Sequence, residues 1–289
     1  MEGVQNVYDD PVFFEGYKKV WSQPNPYNDG IERPALLSLL PPPDQWRHLK
    51  FLDLGCGTGK LSFPLAEGGA TVRGVDVSQR MLTVARERLA AADDDLRARL
   101  SFVECALEHY ADADDTYDVV VAGLVLHYVR DVAPLLRAVR RWLKPGGALV
   151  FSTEHPICTS AQGLHPAYVI DNDHQPPQQP PQDHQQDHQQ QPKQHKYYVY
   201  DRYHEEGERR ATWFVDGVVR YHRTMASWVN GLVAAGFVVD RLLEPRPTAD
   251  ALAAFPDLRP FDQRRVIFLC VRALKPTSSS STPTSSSSA

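Results

Sequence analysis

The stretch Phe51-Leu52-Asp53-Leu54-Gly55-Cys56-Gly57-Thr58-Gly59 decides the fold. An apolar run ends in a carboxylate and then breaks into glycines alternating with small residues. Helix-compatible sequence follows from Lys60 to Glu67, and Gly68-Gly69 stop it. The pattern predicts a strand, a tight turn and a helix start, an arrangement in which backbone comes up against a bound ligand. Glycine is needed there because a Cβ would hold the ligand away from the chain.

Outward from this stretch, strands and helices alternate. Thr71–Val75 reads as a second strand and Ser78 to Ala92 as a helix, with Ser78 as N-cap and Met81, Leu82, Ala85 and Leu89 on one face. Leu100–Glu104 is a third strand. Tyr117–Val121 is a fourth, continuous in Val and so expected to be buried on both faces. A helix from Asp131 to Leu143 is followed by a turn at Lys144-Pro145-Gly146-Gly147 and a fifth strand at Ala148–Thr153. The alternation predicts an α/β fold, a mostly parallel Rossmann-like sheet with helices on both faces.

Downstream, Tyr197–Tyr203 and Thr212–Tyr221 read as a β-hairpin turning at Glu206-Gly207-Glu208. Thr224 to Ala235 is a helix closed by Gly236, and Phe237–Leu243 and Val266–Val271 form a final antiparallel pair. Upstream, residues to about Leu40 form helical segments broken at Pro24, Pro26 and Pro41-Pro42-Pro43. The domain plan is therefore a helical cap at 1–44 and a main domain at 45–275. The main domain contains an insertion at 156–223, and a Ser/Thr tail follows at 276–289. Residues 172–196, rich in Gln, His, Pro and Asp, and the tail lack the apolar content to offset ordering entropy, so both are expected to be disordered.

At 289 residues the chain can bury a full core. A net charge of −5, without a basic stripe, disfavours a nucleic-acid partner. No apolar stretch approaches membrane-spanning length, so no membrane partner is expected. The four cysteines lack paired spacing and read as reduced thiols, which predicts a cytoplasmic protein. The histidines of the Gln-rich tract are irregularly spaced, and no metal site is expected.

The glycine pattern Gly55-x-Gly57-x-Gly59 differs from the G-x-G-x-x-G of nicotinamide-binding loops. In Gly74-Val75-Asp76-Val77-Ser78, Asp76 ends the second strand, where a carboxylate can accept bonds from ribose hydroxyls; it also suits a turn or helix cap. His127, after the fourth strand, suits a general base or a structural histidine bonded to backbone. Glu154 and His155 end the fifth strand at the same edge, ahead of Pro156, and a purely turn-forming role competes there. Arg223 suits gripping an acidic acceptor or pairing with a surface carboxylate. His222 reaches back from the hairpin, and Asn28 and Glu32 cap the site from the N-terminal segment.

Taken together, Leu52 to Gly59, Gly74 to Ser78, Tyr117-Asp118-Val119-Val120, Leu126-His127-Tyr128-Val129 and Leu143 to Gly147 resemble the class I S-adenosylmethionine-dependent methyltransferases, small-molecule branch. The resemblance is close from about Leu49 to Thr153. It implies a seven-stranded sheet with the last strand antiparallel and S-adenosyl-L-methionine as cofactor, bound across the ends of the first strands. By position, Gly55, Cys56, Gly57 and Gly59 would give room to the methionine part and sugar, and Asp53 would orient the amino group. Asp76, with Val77 and Met81 beside it, would hold the ribose. Leu107 and Glu108 would border the adenine, and Leu124 the methionine moiety. Many relatives carry an aspartate near the adenine, where this chain has Ala106-Leu107-Glu108.

The expected function is methyl transfer to an oxygen, nitrogen or carbon nucleophile of a small molecule. His127, Glu154 and His155 are the candidate catalytic residues, and Tyr8, Tyr17 and Tyr128 are candidates to face the sulfonium. The alternatives are a non-catalytic scaffold on the same fold and a macromolecular acceptor such as tRNA or protein. No oligomeric state is assigned from sequence.

Overall fold

The computed structural model describes residues 4–160, 169–171, 196–198 and 201–277. Most of the Gln-rich tract and the tail beyond residue 277 lie outside the described residues. Strands are numbered in chain order: β1 Lys50–Leu54, β2 Thr71–Asp76, β3 Leu100–Glu104, β4 Tyr117–Gly123, β5 Leu143–Glu154, β6 Val169–Asp171, β7 Lys196–Tyr198, β8 Gly207–Trp213, β9 Val215–His222, β10 Val238–Leu243 and β11 Phe268–Leu274.

Among the described residues, seven strands form one sheet in the order β10-β11-β5-β4-β1-β2-β3. Its strands run parallel except β11, which is antiparallel to both β5 and β10. Alternation along each strand sends side chains to two cores. Leu52, Leu54, Val120, Leu149 and Phe151 join one, with Trp142, Trp228 and Leu232 from the covering helices. Phe51, Val119, Val121 and Val150 join the other, with Phe63, Leu65 and Leu36. Continuous apolar strands are thus what a sheet covered on both faces requires.

The chain order reverses between β1 and β4. Strands wound outward in opposite directions from that pair leave a crevice beyond their carboxyl ends, where open α/β sheets bind ligands. Asp53, Gly55 and Asp76 lie at the ends of β1 and β2, and Gly123, Leu124, Ser152 and Glu154 at those of β4 and β5. The sheet therefore collects its polar end-residues around one edge.

Several elements depart from the sequence expectations for identifiable reasons. The first helix after the glycines spans Ser62–Glu67, because the loop runs on through Leu61. The turn at Lys144 to Gly147 is a bulge inside β5: Tyr117 pairs with Leu143, and Val119 already pairs with Ala148. Lys144 Nζ anchors it, donating to both oxygens of Asp118 at 2.8 Å. The hairpin is β8–β9, and it turns at Phe214 (φ +59°). Glu206-Gly207-Glu208 is not its turn. Glu206 instead accepts from Thr224 N at the next helix N-terminus, and Gly207 opens β8. The true signal is Asp216-Gly217, whose two residues oppose Thr212 in a bulge, with Gly217 at φ +78°. Lys196–Tyr198 pairs with β6 rather than joining this hairpin. Two short helices, Ala249–Ala254 and Arg259–Gln263, fill a connection that had no assignment from sequence.

The N-terminal segment folds back over the sheet edge as expected of a helical cap. Asp10 caps the Pro11–Trp21 helix by accepting from Val12 N and Phe13 N, and Pro11 sits at N1. A π-turn, Asn28–Glu32, leads directly into the Arg33–Ser38 helix.

Two glycines separate packing from backbone strain. Both Gly59 (φ +79°) and Gly217 (φ +78°) are left-handed, but a Cβ on Gly59 would lie 2.8 Å from the Phe63 ring whereas Gly217 faces open space. Gly217→Ala should cost about 1 kcal/mol in urea unfolding. Gly59→Ala should cost clearly more, about 2–4 kcal/mol, because the clash adds to the strain. Equal losses would mean that the Phe63 contact is not rigid.

Candidate active site

Asp53 is buried at the end of β1 and accepts from Ser62 Oγ at 2.5 Å. Burial pushes its carboxyl up to about 7 against the pull of the Ser62 bond. The chain then turns through Gly55 (φ +69°) and Gly57 (φ +54°), and Gly55 N and Cys56 N both donate to Val75 O at the end of β2. A Cβ on Gly55 would lie 2.4 Å from Val125, and one on Gly57 3.1 Å from Met81 Cε. The loop is thereby held flat against the strand ends.

Asp76 fastens the other side. Its Oδ2 accepts from Gly57 N and its Oδ1 from Ser78 N, each at 2.8 Å. Burial raises its pKa, and the Ser78 and Gly57 amides oppose the rise. Ser78 caps the Gln79–Ala90 helix through Met81 N at 3.1 Å and donates to Asp9 Oδ1 at 2.6 Å. Asp9 also accepts from Gln79 N and Arg80 N, so the N-terminal segment is clamped onto this helix start. At its other end Gln5 pairs with the Val219 backbone of the hairpin, donating at 3.1 Å and accepting at 2.6 Å.

Beneath that segment lies a cavity of about 490 Å³. Asp53, Gly55, Cys56, Gly57, Asp76, Val77, Met81, Leu107, Glu108, Leu124, His127 and Glu154 line it. Gly59, His155, His222 and Arg223 do not. Gly59 serves the turn and its packing on Phe63. His155 points elsewhere: its Nε2 meets Glu244 at 2.9 Å and its Nδ1 accepts from Ile157 N, which suits the alternative of a turn-forming residue.

At the β4–β5 end, His127 is buried with Nδ1 3.3 Å from Thr153 Oγ1. Burial outweighs the nearby Glu154 carboxylate and pulls the imidazole down to about 4, so the ring is neutral at physiological pH. Arg220 Nη1 donates to both oxygens of Glu154 at 2.5 and 2.6 Å. Tyr8 OH is 3.4 Å from Tyr128 OH, and Tyr8 packs edge-on to Tyr17 at 5.0 Å; all three line the cavity. Trp213 of the hairpin closes on Tyr17 at 5.5 Å. The weakly marked histidine and arginine of the hairpin take structural roles. His222 is held by Thr159 Oγ1 and Tyr203 O, and Arg223 donates to the carbonyls of Val129 and Arg130 while stacking over Trp228.

Sequence reasoning missed Ser62, Arg220, Phe261 and Arg265, and the last two line the cavity. Ser62 sits just after the glycine loop, where its hydroxyl beside the strand-end carboxylate is a local signal; Arg220, Phe261 and Arg265 come from elements placed by tertiary packing.

The comparisons bear on this geometry. Residues 52–151 match the family model described as a methyltransferase domain. A crystal structure of an S-adenosylmethionine-dependent methyltransferase from Mesorhizobium loti is 34% identical, with a TM-score of 0.67 over 84% of this chain and 97% of that one. The chain belongs to the class I S-adenosylmethionine-dependent methyltransferases. An uncharacterized protein of Haemophilus influenzae is 34% identical over 83% of this methyltransferase and 86% of its own length. A ubiquinone biosynthesis O-methyltransferase of Hydrogenovibrio crunogenus is 36% identical, but the match spans only 35% of this chain and 41% of that enzyme. The residues present fit the family's cofactor. Left-handed glycines keep the loop free of side chains at Gly55 and Gly57, and an acidic residue stands at each neighbouring strand end.

The raised Asp53 carboxyl has a consequence for stability. The unfolded carboxyl ionises near pH 4 and the folded one near 7, so folding becomes less favourable as pH rises through that window. Asp53→Asn, which keeps an acceptor for Ser62, removes this dependence. Urea unfolding should show the variant gaining on the wild type between pH 5 and pH 8. A pH-independent difference would contradict the assignment.

Proposed function

We propose that this methyltransferase acts on a small molecule enclosed with S-adenosyl-L-methionine in the cavity at the β1–β4 crevice. The observation that carries the reading is the continuity of the lining. It runs from Asp53, Gly57 and Asp76 to His127, Glu154 and the aromatic group of Tyr8, Tyr17 and Tyr128, under a roof of N-terminal residues. A roofed cavity of this volume suits a small ligand better than a polymer. Asp76 holds the ribose hydroxyls, Asp53 orients the methionine amino group, Leu107 and Glu108 border the adenine, and Leu124 flanks the methionine chain. When bound, the cofactor supplies the activated methyl group.

The protein's own part is alignment and electrostatics. The tyrosine rings present π faces to a cation. His127, neutral, and Glu154, charge-balanced by Arg220, contact the acceptor. With one charge neutralised and one ring uncharged, they orient a nucleophile without adding net charge beside the sulfonium.

Asp76→Ala should weaken S-adenosyl-L-methionine binding by about 1–3 kcal/mol in calorimetry, the range for lost bonds to a charged group. Gly57→Val should abolish binding while circular dichroism stays native. Unchanged affinity in the first variant would remove the ribose role; normal binding in the second would take the loop out of the ligand site.

A further inference from the structure

The carboxyl group of Glu32 occupies a position that the roles above leave unexplained. It is 5% exposed, lines the cavity, and comes from the π-turn of the N-terminal cap, a helix irregularity often found at functional sites. Its Oε1 would lie 3.8 Å from a Cβ placed on Gly123, the last residue of β4. Gly123 is the register partner of Ser152 on β5, and Ser152 Oγ donates to that same Oε1 at 2.5 Å. The carboxyl therefore stands over the ends of β4 and β5.

The strand order fixes what passes beneath it. β1 lies between β2 and β4. A ligand whose ribose sits at Asp76 on β2 and which crosses the glycine loop of β1 brings its far end over β4. The sulfur lies between the ribose and the methionine chain, so the methyl is delivered where this path passes from β1 to β4.

The hydrogen bonds around Glu32 are incomplete. Ser152 gives its proton to Oε1 and accepts from Leu124 N at 3.0 Å, so it has nothing further to offer. Glu32 Oε2 has no hydrogen bond, and Glu32 no ion pair, among the described residues. This second oxygen is not sealed in the protein: Glu32 lines the cavity, so a ligand there can bring a donor to it. The other groups at this end are committed or poorly suited: Glu154 is engaged by Arg220, and His127 is too weakly basic. Burial raises the Glu32 carboxyl, in the direction that favours a base near neutral pH.

We propose, on the methyltransferase reading above, that Glu32 is the catalytic base, and that the acceptor is a hydroxyl or amino nucleophile whose proton its free oxygen takes. The nucleophile's lone pair forms the new bond to the methyl carbon as the carbon–sulfur bond breaks, its electron pair staying on sulfur. The nucleophile's proton passes to Glu32 Oε2 and then to solvent after product leaves. Ser152 is a positioning residue that fixes the carboxyl by holding Oε1.

Calorimetry with two probes tests this without knowledge of the acceptor. S-adenosylhomocysteine has a neutral sulfur that carries no methyl group. Sinefungin carries an ammonium group where the transferred methyl would be, so it places a proton donor opposite Glu32. Glu32→Gln should lower sinefungin affinity by about tenfold or more while S-adenosylhomocysteine affinity stays within about twofold. Glu32→Asp, which keeps the charge but withdraws it, should fall between and provides the reading if the first variant does not fold. Equal loss for both ligands, or no loss for either, would overturn the proposal. If the wild type bound neither, the methyltransferase reading itself would fall and this proposal with it.

Discussion

The carboxylate of Asp76 ties together the two loops from which the site is built. One oxygen takes the Gly57 amide from the loop after β1, and the other takes the Ser78 amide at the start of the following helix. The bonds require Gly57 to be left-handed and its loop to lie close against the end of β2, which Gly55 N and Cys56 N reinforce through Val75 O. A side chain at either glycine would meet Val125 or Met81. The crevice between β1 and β4 thus keeps bare backbone on one wall and charged or aromatic side chains on the other.

The second constraint is the roof. Residues 4–36 contribute Tyr8, Tyr17, Trp21, Asn28 and Glu32 to the cavity, and they are held in place by few but well-directed bonds. Asp9 on the Ser78–Arg80 amides and Gln5 on Val219 tie the segment to the helix start on one side and to the hairpin on the other. Phe13 packs edge-on to both Tyr8 and Trp213, at 4.9 and 5.2 Å, so cap and hairpin share one aromatic cluster.

The central sheet was legible because its signals are local. The glycine loop, the acidic end of β2, the Ser78 cap and the Val-rich β4 each follow from a short window, and β1 to β4 fall within two residues of their expected limits. The cavity lining at the β1–β2 end was legible for the same reason: residues from Asp53 to Leu124 sit in or beside those windows. At the β4–β5 end His127 and Glu154 were legible, but their partners were not. Glu32, Ser152 and Arg220 come from the cap, a strand end and the hairpin, and meet only after tertiary folding. Glu32 is expected from the sequence to cap the site, but nothing in its local pattern pairs it with Ser152. His155 reads as a site residue because Glu154-His155 ends the fifth strand at that edge, but its ring turns to Glu244 and Ile157 N instead. The hairpin was misplaced because an aromatic run outweighed Asp216-Gly217, the pair that governs its bulge.

If the cofactor lies on the backbone between Gly57 and Asp76 as proposed, its binding should rigidify that backbone and the N-terminal segment above it. Amide hydrogen exchange with and without S-adenosylhomocysteine tests it most directly. Binding should slow exchange together at Gly55–Gly59, at Asp76–Met81 and across residues 4–9, with little change in β10 and β11. Protection confined to other elements, or none in the glycine loop at saturating ligand, would contradict the account.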